Sequence, residues 1–166
     1  MKIYGVTGWK NAGKTGLMER LVAEMVARGL RVSTIKHAHH DTETDHAGTD
    51  SYRHRGAGAS EVILSSPRRW AIMHELRDAP EPDLSDLLAR LTPVDLVLIE
   101  GYKRAPHPKV EAHRMETGRG LLAPENPTIR AVASNTTHPD LALPVLNLDD
   151  TAAIADFILR DLGMTA

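Results

Sequence analysis

The sequence contains no cysteine. Disulfides, thiolate nucleophiles and cysteine metal sites are therefore excluded together, and with them a small secreted scaffold held by bridges. A surplus of positive charge is missing too: 20 Lys and Arg stand against 22 Asp and Glu, a formal net charge of -2. No global field draws in nucleic acid or an anionic membrane, so any basic site must be local. Long apolar runs are also absent. The longest are of the type Leu96-Val97-Leu98-Ile99, far short of the roughly 20 residues a membrane-spanning helix needs. The opening Met1-Lys2-Ile3-Tyr4-Gly5-Val6-Thr7-Gly8 is broken by glycine too early to be the apolar region of an export signal. The expectation is a soluble, cytoplasmic protein with neither nucleic acid nor membrane as a partner.

What is present suffices for one domain: 166 residues, 42% of them hydrophobic, can build a single core over residues 1–166. Ile3 to Thr7 reads as a buried strand. Lys14 to Arg28 has Leu17, Leu21, Val22, Met25 and Val26 at helical spacing, with Gly29 placed for a left-handed cap, and Leu30 to Ile35 is the next strand. Strand, glycine loop, helix and strand make a βαβ unit, which implies a parallel sheet. After a polar stretch, Asp50 to Ala59 suggests a short helix, and Glu61 to Leu64 with Trp70 to His74 suggests a hairpin. A helix from Leu84 to Leu91 and strands at Val94 to Ile99, Ile129 to Ala133 and Val145 to Leu148 follow, closed by a helix from Asp150 to Leu162. Lys103 to Pro127 reads as a lid or extended loop with one strand-like piece, Lys109 to His113. The expected class is α/β, a three-layer P-loop fold with a mostly parallel central sheet and a hairpin or loop extension.

Gly8-Trp9-Lys10-Asn11-Ala12-Gly13-Lys14-Thr15 satisfies G-x-x-x-x-G-K-[ST], and each part has a physical task. The glycines open backbone torsions that let successive amide N–H groups converge on phosphate oxygens. The helix that follows, beginning with Lys14, Thr15 and Gly16, points its positive end at the same place. Lys14 would reach the outer phosphates and the Thr15 hydroxyl would ligate Mg²⁺. Lys10 is less clearly assigned: the extra lysine of one P-loop subgroup lies five residues before the invariant one, where this chain has Trp9, so Lys10 is either a loop contact or a solvated side chain. A magnesium nucleotide also needs a carboxylate at the end of another central strand, and Val97-Leu98-Ile99-Glu100-Gly101 offers one. Glu100, expected to be exposed at the strand end, is either a metal or water-positioning group or a plain strand-end acid. Lys14 and Glu100 are the catalytic candidates. Asp95, at the other end of that strand, reads as a turn or capping residue.

The segment Lys36-His37-Ala38-His39-His40-Asp41 begins where the second strand ends. A solvated loop, a transition-metal site and a phosphate or substrate contact all fit it, the last best. In Asp45-His46-Ala47-Gly48-Thr49-Asp50-Ser51-Tyr52-Arg53, Asp45 is a candidate metal-site carboxylate standing behind the ion's direct ligands, Asp50 a helix N-cap, and Arg53 an ion-pair partner or anion contact.

These two segments, with Gly56-Ala57-Gly58-Ala59, Glu100-Gly101-Tyr102-Lys103 and Pro108-Lys109-Val110-Glu111, follow the P-loop in the order and spread of the molybdopterin-guanine dinucleotide biosynthesis protein B (MobB) family, which the chain resembles. The resemblance implies a P-loop fold that binds Mg²⁺ and prefers GTP over ATP, weak GTPase activity, and a homodimer. It further implies a helper role to the MobA-like guanylyltransferase that joins GMP to molybdopterin, and to other molybdenum cofactor proteins. Carried over by motif, Gly8 to Thr15 bind phosphates, Glu100 lies at the magnesium, and Lys103 lines the same cleft with the Lys36 to Asp50 segment. The chain departs from the family's usual Ser-Gly run at Lys10-Asn11-Ala12, and has Asn135 where the family has Asp. No Asn-Lys-x-Asp guanine motif is present. No general base or well-placed glutamine is evident, so hydrolysis is expected to be slow. Two other classes fit a bare P-loop: a small-molecule kinase with its acceptor in the His37 to Arg53 loop, and a non-catalytic adapter whose nucleotide orders the Lys103 to Pro127 segment.

Overall fold

Strand β1 (Lys2–Thr7) feeds the glycine loop and helix α1 (Lys14–Ala27), and strand β2 (Val32–Lys36) follows. The computed structural model describes residues 1–38 and 43–165. His39, His40 and Asp41 of the expected histidine segment therefore lie outside the described residues. Helix α1 forms because Leu17, Leu21 and Met25 recur at i, i+4, i+8 and, with Met18, are buried together. It stops in a Schellman arrangement: Gly29 takes φ +86°, its N–H donates to the Val26 carbonyl, and the Leu30 N–H donates to the Met25 carbonyl.

The contacts divide the chain into two units, Met1–His37 with Leu87–Ala166, and Ala38–Asp86. In the first, β1 and β2 join β5 (Leu96–Glu100), β6 (Lys109–His113), β7 (Ile129–Ser134) and β8 (Val145–Asn147) in one sheet of order β2-β5-β1-β6-β7-β8. Every pairing in it is parallel. Alternate residues therefore face opposite sides of the sheet. Tyr4, Val6, Leu96, Leu98, Val110, Ala112, Ala131 and Ala133 pack with α1 and with Ile154, Ala155, Ile158 and Leu159 of the closing helix α4 (Thr151–Asp161). Asp150 caps α4, its carboxylate accepting the Ala153 N–H at 3.0 Å. The opposite face is covered by irregular chain: Ala123, Ile129 and Val132 pack with Leu121, Leu122, Leu141 and Leu143.

Two expectations change here. The Lys109 to His113 piece, expected within a lid, is a fully buried strand between β1 and β7. Its polar side chains find partners inside: Lys109 Nζ donates to the Ala105 and His107 carbonyls and to Thr128 Oγ1, and Glu111 accepts the N–H groups of Leu122 and Ala123, both at 2.8 Å. Asp95 is neither a cap nor a bare turn residue. Its carboxylate grips Arg31 through the backbone N–H (2.8 Å) and the guanidinium (3.0 Å), which tacks the start of β2 to the start of β5 and holds the acid below the usual carboxylate range.

The second unit contains α2 (Asp50–Gly56) and the antiparallel hairpin β3 (Glu61–Ser65) with β4 (Trp70–His74), in register Glu61↔His74 to Ser65↔Trp70. Arg55 ties them together, bonding Glu75 at 2.6 Å and Glu43 at 2.5 Å. Thr49, not Asp50, is the N-cap of α2: its hydroxyl accepts the Tyr52 N–H at 3.4 Å, whereas Asp50 is the first helical residue and lies 4.0 Å from Arg53. A hydroxyl one residue earlier reaches the free N–H, leaving the acid to face the helix dipole from solvent. Helix α3 (Leu84–Arg90) leads back into the first unit. Among the described residues no helix is long and apolar enough to cross a membrane.

Candidate functional site

At the C-terminal edge of β1 the chain turns through Gly8 with φ +140°, and a Cβ there would lie 2.3 Å from the Ala112 carbonyl oxygen. Only glycine allows both that torsion and that approach. Asn11 (φ +66°) and Gly13 (φ +88°) also take left-handed torsions, and the Ala12 N–H closes on the Trp9 carbonyl at 3.2 Å. The loop therefore curls into the anion-receiving cup that the motif requires, opening onto the first turn of α1. Lys14 and Thr15 begin that helix and Gly16 follows, exposed. Lys14 Nζ reaches across the cup to the Trp9 carbonyl at 2.6 Å. Lys10 is exposed.

The next strand, β5, carries Glu100 to the same place. Thr15 Oγ1 donates to Glu100 Oε1 at 3.2 Å, and Lys36 Nζ at the end of β2 lies 3.7 Å from Oε2. Glu100 is 8% exposed, not open at the strand edge as expected, because the Thr15 hydroxyl and Lys36 close over it. The hydroxyl and carboxylate that a nucleotide-bound Mg²⁺ uses are thus adjacent, and these two residues fit the ion's preference for few protein ligands. Burial lowers the Lys14 pKa; Glu100 opposes that shift, and the nearby Lys103 and Lys36 add to it. Three ammonium groups thus converge near one buried carboxylate, a site short of negative charge that a phosphate chain would supply.

The turn after β5 holds Lys103. His37 and Tyr102 stack with ring centroids 4.7 Å apart, and the His37 N–H donates to the Glu100 carbonyl at 2.9 Å. Lys103 Nζ sits 4.5 Å from the Trp9 ring centroid, which brings the lysine expected from resemblance onto the P-loop itself. On the other side of the sheet's edge, Asn135 is exposed, but its amide is already engaged. Its amide donates to both carboxylate oxygens of Glu116 at 2.9 Å and its Oδ1 accepts the Met115 N–H at 3.0 Å, tying the end of β7 to the turn after β6.

Asp45 belongs to the second unit and is used there. Oδ1 accepts from Thr49 Oγ1 at 2.9 Å and the His46 N–H at 3.0 Å, while Oδ2 faces Arg55 at 3.9 Å. Hydrogen bonding, from Ser51 first, holds it below the usual carboxylate range. Among the described residues no group of three His, Cys, Asp or Glu side chains is placed to hold a metal ion. The transition-metal alternative for the His37 to Asp41 segment needs His39, His40 and Asp41, which lie outside the described residues. Two participants escaped the sequence: Arg119, whose guanidinium carbon lies 5.5 Å from the Trp9 ring, and Glu111, which fixes the segment carrying it. Arg119 belongs to no recognisable motif, and Glu111 stands in the Pro108-Lys109-Val110-Glu111 block without a role assigned to it there. The Gly118-Arg119-Gly120 triplet was the one local sign of a cation on a yielding turn.

Comparison with known proteins identifies the family. The family model for "Molybdopterin guanine dinucleotide synthesis protein B" matches residues 3–135. A molybdopterin-guanine dinucleotide biosynthesis adapter protein of Haemophilus influenzae is 44% identical over 161 residues, covering 94% of this chain and 86% of that protein. The Escherichia coli adapter protein is 38% identical over 164 residues, covering 95% and 91%. Among solved structures, Bacillus subtilis MobB superposes with a TM-score of 0.75 at 28% identity, covering 98% of each chain. A MobB homologue from Bacillus stearothermophilus gives 0.70 at 30% identity, covering 98% and 99%.

Proposed function

Because the chain belongs to the molybdopterin guanine dinucleotide synthesis protein B family, we propose that it binds magnesium GTP in the Gly8–Thr15 loop and acts as an adapter in molybdopterin-guanine dinucleotide biosynthesis. The observation that carries the nucleotide claim is the pairing of a correctly curled P-loop with Thr15 Oγ1 3.2 Å from Glu100. Phosphates would lie on the loop amides with Lys14 on the outer oxygens, and the ion would take Thr15 and Glu100. Bound Mg²⁺ supplies charge neutralisation at the phosphates. Every other contact comes from the chain: Lys36 and Lys103 add positive charge, and Trp9 shapes the rim.

We expect hydrolysis by this site to be slow, since the sequence offers neither an evident general base nor a well-placed glutamine to orient water. The names of the relatives, biosynthesis adapter proteins, support an accessory role in making molybdopterin-guanine dinucleotide; a MobA-like guanylyltransferase as the partner, in the cytoplasm, is our reading from the family resemblance. The exposed hairpin supports a homodimer. Ile63, Trp70 and Ile72, on one face of the ribbon, are 64, 69 and 45% exposed, an apolar surface that a two-stranded ribbon does not sustain alone in water.

Equilibrium dialysis with labelled GTP and Mg²⁺ tests the reading. One nucleotide per chain is expected, with at least about a hundredfold weaker binding in Lys14→Ala, since a charge-assisted phosphate contact is lost from a shielded site. No binding by the wild type, or equal binding by Lys14→Ala, would refute it. Phosphate transfer to a small metabolite would replace the adapter with the kinase alternative.

A further inference from the structure

The residue that follows Gly8 in the P-loop gathers more positive charge than the loop needs for shape. Trp9 donates its indole N–H to the Gly120 carbonyl at 2.8 Å, Lys103 Nζ rests 4.5 Å from the ring centroid, and the Arg119 guanidinium carbon lies 5.5 Å from it. The Trp9 carbonyl, meanwhile, accepts from Lys14. Three cations from three different segments thus meet on one loop residue, at the mouth of the phosphate cup.

The segment bearing Arg119 is fixed at its backbone and free at its side chain. Glu111, buried in β6, accepts the N–H groups of Leu122 and Ala123, and His113 donates through Nε2 to the Arg119 carbonyl at 3.3 Å. Thr117 Oγ1 accepts the Arg119 N–H at 3.3 Å. The Arg119 side chain is exposed, Gly118 and Gly120 leave open space on either side of it, and among the described residues it forms no ion pair. A guanidinium on an exposed indole face is held weakly, whereas on a phosphate it makes charge-assisted and often bidentate hydrogen bonds. A phosphate within reach would therefore draw it off the ring without moving its anchored backbone.

We propose that Arg119 recognises the terminal phosphate of a nucleoside triphosphate bound in the P-loop, with Trp9 as its resting place when that phosphate is absent. This rests on the nucleotide-binding reading above and goes beyond it by assigning preference for triphosphate over diphosphate to a residue outside the motif. The loop amides and Lys14 hold any phosphate chain; Arg119 reads its length. Departure of the guanidinium also changes the surroundings of the indole, so the state of the nucleotide is reported at the Trp9–Gly120 contact.

Calorimetric titration with GTP and with GDP, both with Mg²⁺, tests the assignment in the wild type, Arg119→Ala and Arg119→Lys. The expected result is about tenfold weaker GTP binding in Arg119→Ala with GDP binding unchanged, a loss of about 1.4 kcal/mol, and partial recovery in Arg119→Lys. In parallel, tryptophan fluorescence should change with GTP but not GDP, and that difference should vanish in Trp9→Phe. An unchanged GTP to GDP ratio in Arg119→Ala, whether both affinities fall together or neither falls, overturns the assignment while leaving nucleotide binding intact. Failure of the wild type to bind either nucleotide overturns the underlying reading as well.

Discussion

At the scale of single residues, the site depends on backbone torsion as much as on charge. Gly8→Ala would force a Cβ to 2.3 Å from the Ala112 carbonyl at φ +140°, so it should cost about 2–4 kcal/mol and abolish GTP binding, read by denaturant unfolding and titration. Away from the loop, His107 is 5% exposed, and among the described residues neither ring nitrogen has a hydrogen-bond partner. Burial, with help from Lys109, pushes its pKa down to about 4. The folded chain thus keeps His107 neutral while the unfolded chain protonates it near its ordinary value of 6.5. The unfolded chain binds more protons across that interval, so stability should fall as pH drops from about 6.5 towards 4, by up to about 3 kcal/mol. Unfolding of wild type and His107→Leu at pH 7 and pH 5 checks this. The variant should be as stable as the wild type at pH 7, since it removes an unsatisfied polar group, and should lose less on acidification. An equal pH dependence in both would count against His107 as its source.

At the scale of elements, β6 makes the P-loop possible and is also the strand whose burial is least obvious. It lies beside β1 and supplies the Ala112 carbonyl against which Gly8 packs. It also carries Glu111, whose carboxylate is raised above its ordinary pKa by burial and held by two N–H groups. Glu111→Ala should free the Leu121 to Glu125 turn, costing about 2–3 kcal/mol for the two orphaned donors. Hydrogen exchange at Leu122 and Ala123 should then rise before global unfolding, and unchanged protection there would show that the clamp is not what holds the turn. The sequence shows this piece as strand-like but hides its central, buried place, because Lys-Val-Glu-Ala-His alternates polar and apolar residues, the pattern of a half-exposed strand, whereas central parallel strands usually read as apolar runs. β5, with Leu-Val-Leu-Ile, obeys that rule and is legible. Glu100 was legible as the charged end of an apolar strand; its burial was not, because the residues that close over it, Thr15 and Lys36, come from other elements. Arg119 is illegible for a related reason, its contact with Trp9 joining positions far apart in the chain.

At the scale of the whole molecule, the P-loop unit and the hairpin unit divide the expected tasks of nucleotide and protein binding. The hairpin places Ile63 opposite Ile72, and both are exposed. Ile63→Lys combined with Ile72→Lys should therefore convert a dimer to a monomer in sedimentation while leaving GTP affinity within about twofold, because charges on an apolar contact oppose association. A monomeric wild type would refute the hairpin interface. Stability of the whole chain should also follow its ligand, magnesium GTP at about a hundred times its Kd contributing about 2.7 kcal/mol. The central claim meets its most direct test in calorimetric titration of the wild-type chain with GTP, with Mg²⁺ present and with it chelated, alongside Glu100→Gln. The account predicts one site per chain, binding weakened at least about tenfold when Mg²⁺ is removed, and no such magnesium dependence in Glu100→Gln. Equal affinity with and without Mg²⁺ in the wild type, or no binding at all, would contradict it.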